Sequence, residues 1–509
     1  MKVVFKFGLF LALVLVFNAC ATLKKQVVLG SEKPLPINKE IEHSFYLIGD
    51  AGNSGLDESS SALKAFKAEL ERASKNSTAI FLGDNIYPKG LPEESSEGYE
   101  LAKHRIQIQT EAVKNFKGET IFIPGNHDWY SDIKGLKDQE KIVEKALGKD
   151  SFLPEDGCSI DKIHVSDDIE LILVDTHWYI NNWNDQPTIN DDCEIKTRQA
   201  FLDEFSSLVK KARGKTTIIA LHHPMFTNGS HGGQFSFASH MSPLPVLGTL
   251  KNVIRKTSGI ANVDLQNQYY NELQSRLITL AQVNEKVVFV SGHEHNLQYL
   301  VEDNLHQIVS GAGSKVSAVR NIGSGVFGYG TPGYAKLMVY KDGSTHVSFY
   351  SADEDTVVFE TEIFPENKPL APKSYKENLE SHMSASVYSD EETDVTGFRK
   401  FIWGDRYRKE YSTKVNAPNV KLDTLFGGLI PVKKGGGNQS KSLRLEDKNG
   451  TQYVMRAVRK QALQYLQAVL FKDQYIEGQF DDTATEDLIL DVFTGSYPYA
   501  PLIIGDLAD

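Results

Sequence analysis

Six short apolar runs in this chain each stop at a glycine, an aspartate or a histidine, or at a serine or proline just before one. Phe45–Ile48 runs into Gly49-Asp50, Ala79–Leu82 into Gly83-Asp84, and Thr120–Ile123 into Pro124-Gly125-Asn126-His127. Leu171–Val174 leads to Asp175, Thr216–Leu221 to His222, and Val287–Val290 to Ser291-Gly292-His293. Each run has strand length and is enriched in β-branched residues, so each reads as a buried strand. Helical periodicity fills several gaps between them, over Ser59–Lys75, Tyr99–Asn115, Ile195–Arg213 and Leu265–Val283. Strands alternating with helices fold as sheets covered by helices, and such sheets collect ligands outside the carboxyl ends of their strands. From Gly333 to Phe364 the pattern changes to antiparallel strands over Ala335–Tyr340, His346–Tyr350 and Val357–Ile363, with Asp342-Gly343 as a hairpin turn.

Composition narrows the class. Of 509 residues, 40% are hydrophobic and 24% charged, which suits globular protein and excludes wholesale disorder. Asp and Glu outnumber Lys and Arg by 67 to 55, giving a net charge of −12 with no long basic stretch. Nucleic acid is therefore not the main partner. Three cysteines are too few for a disulfide scaffold.

The amino terminus reads as an address. Lys2 and Lys6 precede an uncharged apolar run from Phe7 to Phe17, too short for a permanent membrane span, and residues 1–19 have the layout of a signal peptide. Phe17-Asn18-Ala19-Cys20 resembles the lipobox of bacterial lipoproteins. That resemblance implies a lipid on Cys20 and the membrane as a partner, and Ala21 in place of an aspartate implies the outer membrane. Cys158 and Cys193 then remain as an even pair, which suits one disulfide in an oxidising compartment, although sequence does not show that they meet. Residues 20–42 read as a lipidated tether, 43–364 as the catalytic domain and 365–397 as a linker rich in Pro, Ser and Glu. Residues 398–509 read as an additional α+β segment, with a hairpin about Asn449-Gly450 and helical patterns over Gln461–Phe471 and Thr485–Phe493. The apolar Leu502-Ile503-Ile504 near the end suggests the amino-terminal part of a longer surface protein, with a complete chain carrying a small accessory domain as the rival reading.

Five blocks carry the chemistry: Gly49-Asp50-Ala51-Gly52, Gly83-Asp84-Asn85-Ile86-Tyr87, Gly125-Asn126-His127-Asp128, Leu221-His222-His223-Pro224 and Gly292-His293-Glu294-His295. Each places carboxylate, phenol, amide or imidazole donors directly after an apolar run, where a rigid strand can aim them into one cleft. Mixed oxygen and nitrogen donors suit iron, zinc or manganese, and the lack of thiolates argues against a structural zinc site.

In this order the blocks resemble the calcineurin-like metallophosphoesterases, and Tyr87 narrows the resemblance to the purple acid phosphatases of the small, tartrate-resistant type. His231-Gly232, nine residues after His222, and Ser310-Gly311-Ala312-Gly313 fit that type too. The resemblance implies a four-layer α/β/β/α sandwich over residues 43–364. It implies a ferric ion held by Asp50, Asp84, Tyr87 and His295, and a divalent Fe, Zn or Mn held by Asp84, Asn126, His222 and His293. Asp84 bridges. His127 and His231 lie beside the substrate, His231 being favoured as the acid for the leaving alkoxide.

The expected activity is hydrolysis of phosphate monoesters outside the cytoplasm, by an activated water attacking in line. A phosphodiesterase or nucleotidase on the same scaffold, and a non-catalytic surface module, are the rivals. Two departures bear on substrate preference: His223 stands where that type has tyrosine, and His177-Trp178-Tyr179 matches no expected block. Trp129-Tyr130 and Trp178-Tyr179 read equally well as a substrate rim or as core.

Overall fold

The computed structural model describes residues 20–367, 380–435, 439–474, 476, 480 and 483–502. The signal-peptide reading and the chain's last residues, Ile503 included, lie outside these. Two compact units divide the chain, Met1–Lys368 and Pro369–Asp509.

Among its described residues the first unit has fourteen strands in two sheets. In chain order they are β1 (Gln26–Val27), β2 (Ile41–Ile48), β3 (Ser77–Leu82), β4 (Glu119–Ile123), β5 (Ile160–Ser166), β6 (Ile169–Val174) and β7 (Thr216–Leu221). Then come β8 (Val287–Ser291), β9 (Leu297–Glu302), β10 (Leu305–Ser310), β11 (Gly325–Tyr329), β12 (Gly333–Tyr340), β13 (Thr345–Ser351) and β14 (Thr356–Phe364). One sheet runs β14-β13-β12-β2-β3-β4 and the other β1-β11-β9-β10-β8-β7-β6-β5. β2, β3 and β4 are parallel to one another, as are β6, β7 and β8, so the carboxyl ends of each trio line up on one edge of its sheet.

Strand periodicity builds the layers. Successive side chains face opposite sides of a sheet, so Phe45, Leu47, Ile80, Leu82, Ile121 and Ile123 meet Leu171, Leu173, Ile218, Val288 and Val290 in a core between the sheets. The intervening residues, Tyr46, Ile48, Phe81, Phe122, Ile172, Val174, Ile219 and Leu221, pack under helices. The helices are α1 (Ser61–Leu70), α2 (Tyr99–Ala112), α3 (Asn126–Trp129), α4 (Asp132–Leu147), α5 (Thr176–Ile180), α6 (Arg198–Lys211), α7 (Phe237–Met241), α8 (Pro245–Ser258) and α9 (Gln268–Ala281). α1 packs on β2 and β12 and neighbours α2, while α9 packs against α5 and α6. The result is a mixed α/β sandwich of two large sheets flanked by helices.

Residues 20–42 do not hang free as a tether. Ala21 donates its N–H to the Phe235 carbonyl at 3.0 Å, Thr22 to Val319 at 2.9 Å and Val28 to Val326 at 2.9 Å, and β1 extends a sheet edge by pairing with β11. The backbone's demand for partners lays this polar stretch onto the domain. A second difference lies within 365–397. Residues 368–379 fall outside the description, but His382–Ala385 is a strand paired with Val415–Pro418, and Asp390–Thr393 is a helical turn. Ser389 and Glu392 form a capping box there, satisfying two orphan backbone donors reciprocally. Elsewhere in the second unit, Ser442–Glu446 and Gln452–Arg456 pair across the turn at Asn449-Gly450. Ala462, Leu466, Ile476, Ile489 and Phe493 make a small core, and the buried carboxylate of Asp491 is paired with Arg399 and Arg408.

Phe81 stacks on Phe122 with ring centroids 4.1 Å apart and meets Phe66 edge-on at 5.8 Å, all fully buried. Phe81→Ala leaves a cavity under α1 and is expected to destabilise the sandwich by about 3–5 kcal/mol, read as a lower urea midpoint.

Candidate metal centre

The six apolar runs end where the two parallel trios end, and the motif residues follow within one to five positions. Asp50 follows β2, Asp84 and Tyr87 follow β3, Asn126 opens α3 after β4, His222 follows β7, and His293 and His295 follow β8. All seven converge. Tyr87 Oη donates to Asp50 Oδ1 at 2.7 Å and lies 3.1 Å from His295 Nε2, which is 3.4 Å from Asp50 Oδ1. His222 Nε2 lies 3.1 Å from Asn126 Oδ1, 3.4 Å from Asp84 Oδ1 and 3.3 Å from His293 Nδ1. Asp84 belongs to both groups, facing His222 on one side and Tyr87 on the other.

The tautomers sharpen this geometry. His222 Nδ1 lies 2.8 Å from the Leu82 carbonyl and His293 Nε2 lies 2.8 Å from the Val263 carbonyl. A carbonyl only accepts, so both nitrogens carry protons and, when the rings are neutral, the opposite nitrogens are lone pairs. Those lone pairs face each other, the Asp84 carboxylate and the Asn126 oxygen. Electron-rich atoms packed this closely need a positive charge among them, and a metal cation fits the donor set. The local electrostatics carry the same demand. Burial alone would lower His222, but the charge and hydrogen bond of Asp84 outweigh it and hold the imidazole up to about 9, so without a cation a proton on Nε2 supplies the missing positive charge. Burial and the charges of Asp50 and Asp84 push the Tyr87 phenol well above its usual range. Only a strong Lewis acid makes it a phenolate at moderate pH.

Backbone geometry explains the glycines. Asp50, Asp84 and His293 adopt φ of 57°, 55° and 70°, a left-handed conformation that non-glycine residues avoid and that clusters at functional sites. A Cβ on Gly125 would lie 2.4 Å from both the Asp84 nitrogen and Oδ1, and one on Gly292 would lie 2.6 Å from Asp50 Oδ2. Each glycine is bare so that a neighbouring ligand can sit against it.

His127 and His231 flank the cluster. His127 Nδ1 donates to the Pro88 carbonyl at 2.5 Å, leaving Nε2 3.9 Å from Asp84 Oδ2. His231 packs its ring 4.2 Å from that of His293 and hydrogen-bonds through Nδ1 to Asp264 Oδ1 at 2.9 Å. Burial lowers the His231 pKa, but the Asp264 hydrogen bond and the charges of Glu294 and Asp264 outweigh it, so the net shift is upward.

Several residues around the site escaped the sequence reading. Asp128 accepts from the N–H groups of Asn85 (3.0 Å), Ile86 (3.1 Å) and Gly125 (2.8 Å) and from Gln139 Nε2 (3.1 Å), clamping two ligand loops together. Its pKa rises to about 7 through burial and then the charge of Asp84. Glu294 accepts from the N–H groups of Ser230 (3.0 Å) and His231 (2.8 Å) and from Thr227 Oγ1 (3.1 Å), fixing the loop that carries His231. Arg255 holds Asp264 through Nε at 2.9 Å and Nη2 at 2.5 Å. Asp128 and Glu294 stand inside the motifs, so their signal was visible; Asp264 and Arg255 had none. Lys315 places its Nζ 3.2 Å above the Tyr87 ring.

Trp129, Trp178 and Tyr179 are fully buried core residues, whereas Tyr130 is 42% exposed and accepts from Asn126 Nδ2 at 2.9 Å. His223 is buried against the His293 ring at 4.3 Å and bonded to Thr176 at 2.7 Å, with His177 stacked behind it. Cys158 and Cys193 are joined by a disulfide, and Cys20 is half-buried at the start of the described chain.

Residues 43–297 match the model of the calcineurin-like phosphoesterase family. The chain belongs to that family. It is 24% identical over 345 residues to purple acid phosphatase 3 of Arabidopsis thaliana, a match covering 66% of this chain and 79% of that protein. Purple acid phosphatase 4 of the same plant is 21% identical over 280 residues, or 53% and 68% of the two chains. Among solved structures, a purple acid phosphatase from yellow lupin seeds aligns with 12% identity and a TM-score of 0.41, covering 66% of this chain and 58% of that one. Calcineurin-like phosphoesterases work with two metal ions, and among the described residues Asp50, Asp84 and His222, and His222, His223 and His293, form groups close enough to hold a metal ion.

Gly125→Ala is expected to leave the fold intact while displacing Asp84. Metal analysis of the purified variant should then give less than half the metal content of the parent.

Proposed function

We propose that this calcineurin-like phosphoesterase hydrolyses phosphate monoesters outside the cytoplasm. On this reading Asp50, Asp84, Tyr87 and His295 hold a ferric ion, and Asp84, Asn126, His222 and His293 hold a divalent Fe, Zn or Mn. The observation that carries it is the sharing of Asp84 between two donor groups, one of which includes a buried phenol. A phenol hemmed in by carboxylates suits a trivalent ion better than zinc. The purple acid phosphatase relatives support the monoester assignment.

Two cations held by these residues would supply charge to neutralise the phosphate oxygens and to activate a water for attack. The protein's own groups do the rest. Asp128 keeps the Asp84 and Asn126 loops in register, and the buried Glu294 carboxylate keeps the His231 loop over the site. Asp264 holds His231 by Nδ1, which fixes the ring and leaves Nε2 to give a proton to the departing alkoxide. His127, fixed by Pro88, presents Nε2 from the opposite loop to the substrate phosphate. Exposed Tyr130 stands beside His127, with ring centroids 4.9 Å apart, where a leaving group can rest.

The leader over residues 1–19 and Cys20 support a lipid-anchored location on the outer membrane. Labelled palmitate should enter the wild-type chain in cells and fail to enter Cys20→Ala.

Monoester and diester turnover, measured from acidic to neutral pH, tests the activity. Monoester turnover should dominate and fall at least a thousandfold in Asp84→Ala, and the metal-replete protein should be pink or purple, with the colour lost in Tyr87→Phe. Diester turnover exceeding monoester turnover would replace the reading.

The pH profile tests the acid. His231 must be protonated to donate, so activity falls as pH rises through its pKa, which Asp264 raises. Asp264→Asn removes that carboxylate and should move the alkaline limb to lower pH by about one unit. An unmoved limb would assign it to another group.

A further inference from the structure

Helix α8 is inverted relative to an ordinary surface helix. Such a helix turns its apolar stripe to the core and its polar face to water. Here the inward face is small and polar. Gly248 and Asn252 are its buried positions. A Cβ on Gly248 would lie 2.5 Å from the His240 carbonyl, and Asn252 Oδ1 accepts from Ser239 Oγ at 3.0 Å. The outward face is apolar. Val246, Leu247, Leu250, Val253 and Ile254 fall at helical spacing on one stripe opposite Gly248 and Asn252, and all are exposed, Val246 by 79% and Leu250 by 53%. By the same spacing Lys251 and Lys256 border the stripe on its two sides. Exposed Leu244 extends it at one end. A contiguous apolar surface of this kind marks an interaction site.

Two independent observations indicate what covers it. The first is where the chain enters the domain. Ala21 donates its N–H to the Phe235 carbonyl at 3.0 Å and bridges in parallel to Ser236, the N-cap residue of α7, which packs against α8. Immediately before Ala21 stand Cys20 and the apolar run from Phe7 to Phe17. Whether that run persists or a lipid replaces it at Cys20, the chain's most membrane-directed end emerges beside the α7–α8 pair. The second is charge. In a chain of net charge −12, no Asp or Glu occurs from Phe205 to Val263 or before Glu32. The helix itself carries Lys251, Arg255 and Lys256 and no acid.

We propose that α8 lies in the plane of an anionic lipid bilayer, its apolar stripe among the acyl chains and Lys251 and Lys256 among the headgroups. The lysine stems reach along the apolar surface while their ammonium groups stay in the polar layer. Among the described residues no helix is long and apolar enough to cross a membrane, so the contact is interfacial.

The test uses the full chain reconstituted into vesicles of phosphatidylethanolamine and phosphatidylglycerol at 3:1. Leu250→Trp and Val253→Trp place an indole on the stripe, and Lys64→Trp places one on the exposed side of α1 as a control. Replacing the lipids with bromine-labelled analogues should quench the added emission of the stripe indoles at least twofold and leave the control unchanged. Stripe indoles that bromolipids leave unquenched would overturn the proposal. This holds whether they remain open to acrylamide, with the helix in water, or are shielded from it, with a second copy or another part of the chain on the stripe.

Discussion

The structure is organised around an electrostatic conflict that the backbone enforces. Two carboxylates, a phenol, an amide oxygen and three imidazoles are brought within hydrogen-bond range of one another, and carbonyl oxygens fix two of the imidazoles with their lone pairs inward. Left alone, such groups would separate. They are kept together by six strands whose alternate residues are locked in two cores, so the loops cannot splay without breaking close packing. Left-handed backbone at Asp50, Asp84 and His293 is the local strain this arrangement carries. A cation bound among these donors would offset that strain.

The polar residues behind the donors matter for the same reason. Asp128 and Glu294 are fully buried carboxylates surrounded by N–H donors from loops that also carry site residues. A buried acceptor with three or four donors is rigid, since losing any one leaves a polar group unsatisfied. Each therefore converts a flexible loop into a fixed platform: Asp128 for the turns after β3 and β4, Glu294 for the segment holding His231. Preorganisation of this kind is most of what a protein contributes to phosphoryl transfer.

Much of this was legible in the sequence, and for a physical reason. A strand buried on both faces must be apolar throughout, and a ligand at its end must be polar, so the boundary is abrupt and readable at Asp50, Asp84 and His222 alike. Glycines before the ligands were equally readable, being required by close approach at Gly125 and Gly292. What escaped were features that composition does not encode. Pairing of β1 with β11 is made by backbone groups, so the stretch after Cys20 looked like a tether. The capping box at Ser389 and Glu392 was present but overshadowed by the prolines before it. Asp264 lies in an irregular loop, and its role depends on Arg255, which no local pattern links to His231. α8 was passed over because its polar, small-residue inner face does not look like a core-facing helix.

α8 links the apolar stripe to the donor cluster. Its inner face ends in Arg255, whose guanidinium grips Asp264 in two places, and Asp264 in turn orients His231. Its outer face is the apolar stripe. One rigid element therefore spans the distance between the surface and the His231 side of the donor cluster. A helix seated in a bilayer loses much of its freedom to fray or shift, and Arg255 sits in its last turn, where fraying would begin. On the proposed seating, steadying α8 would steady the Arg255–Asp264 pair, and with it the His231 ring to which the proposed mechanism assigns the alkaline limb of the pH profile. The inverted helix and the His231 relay thus share a single structural support.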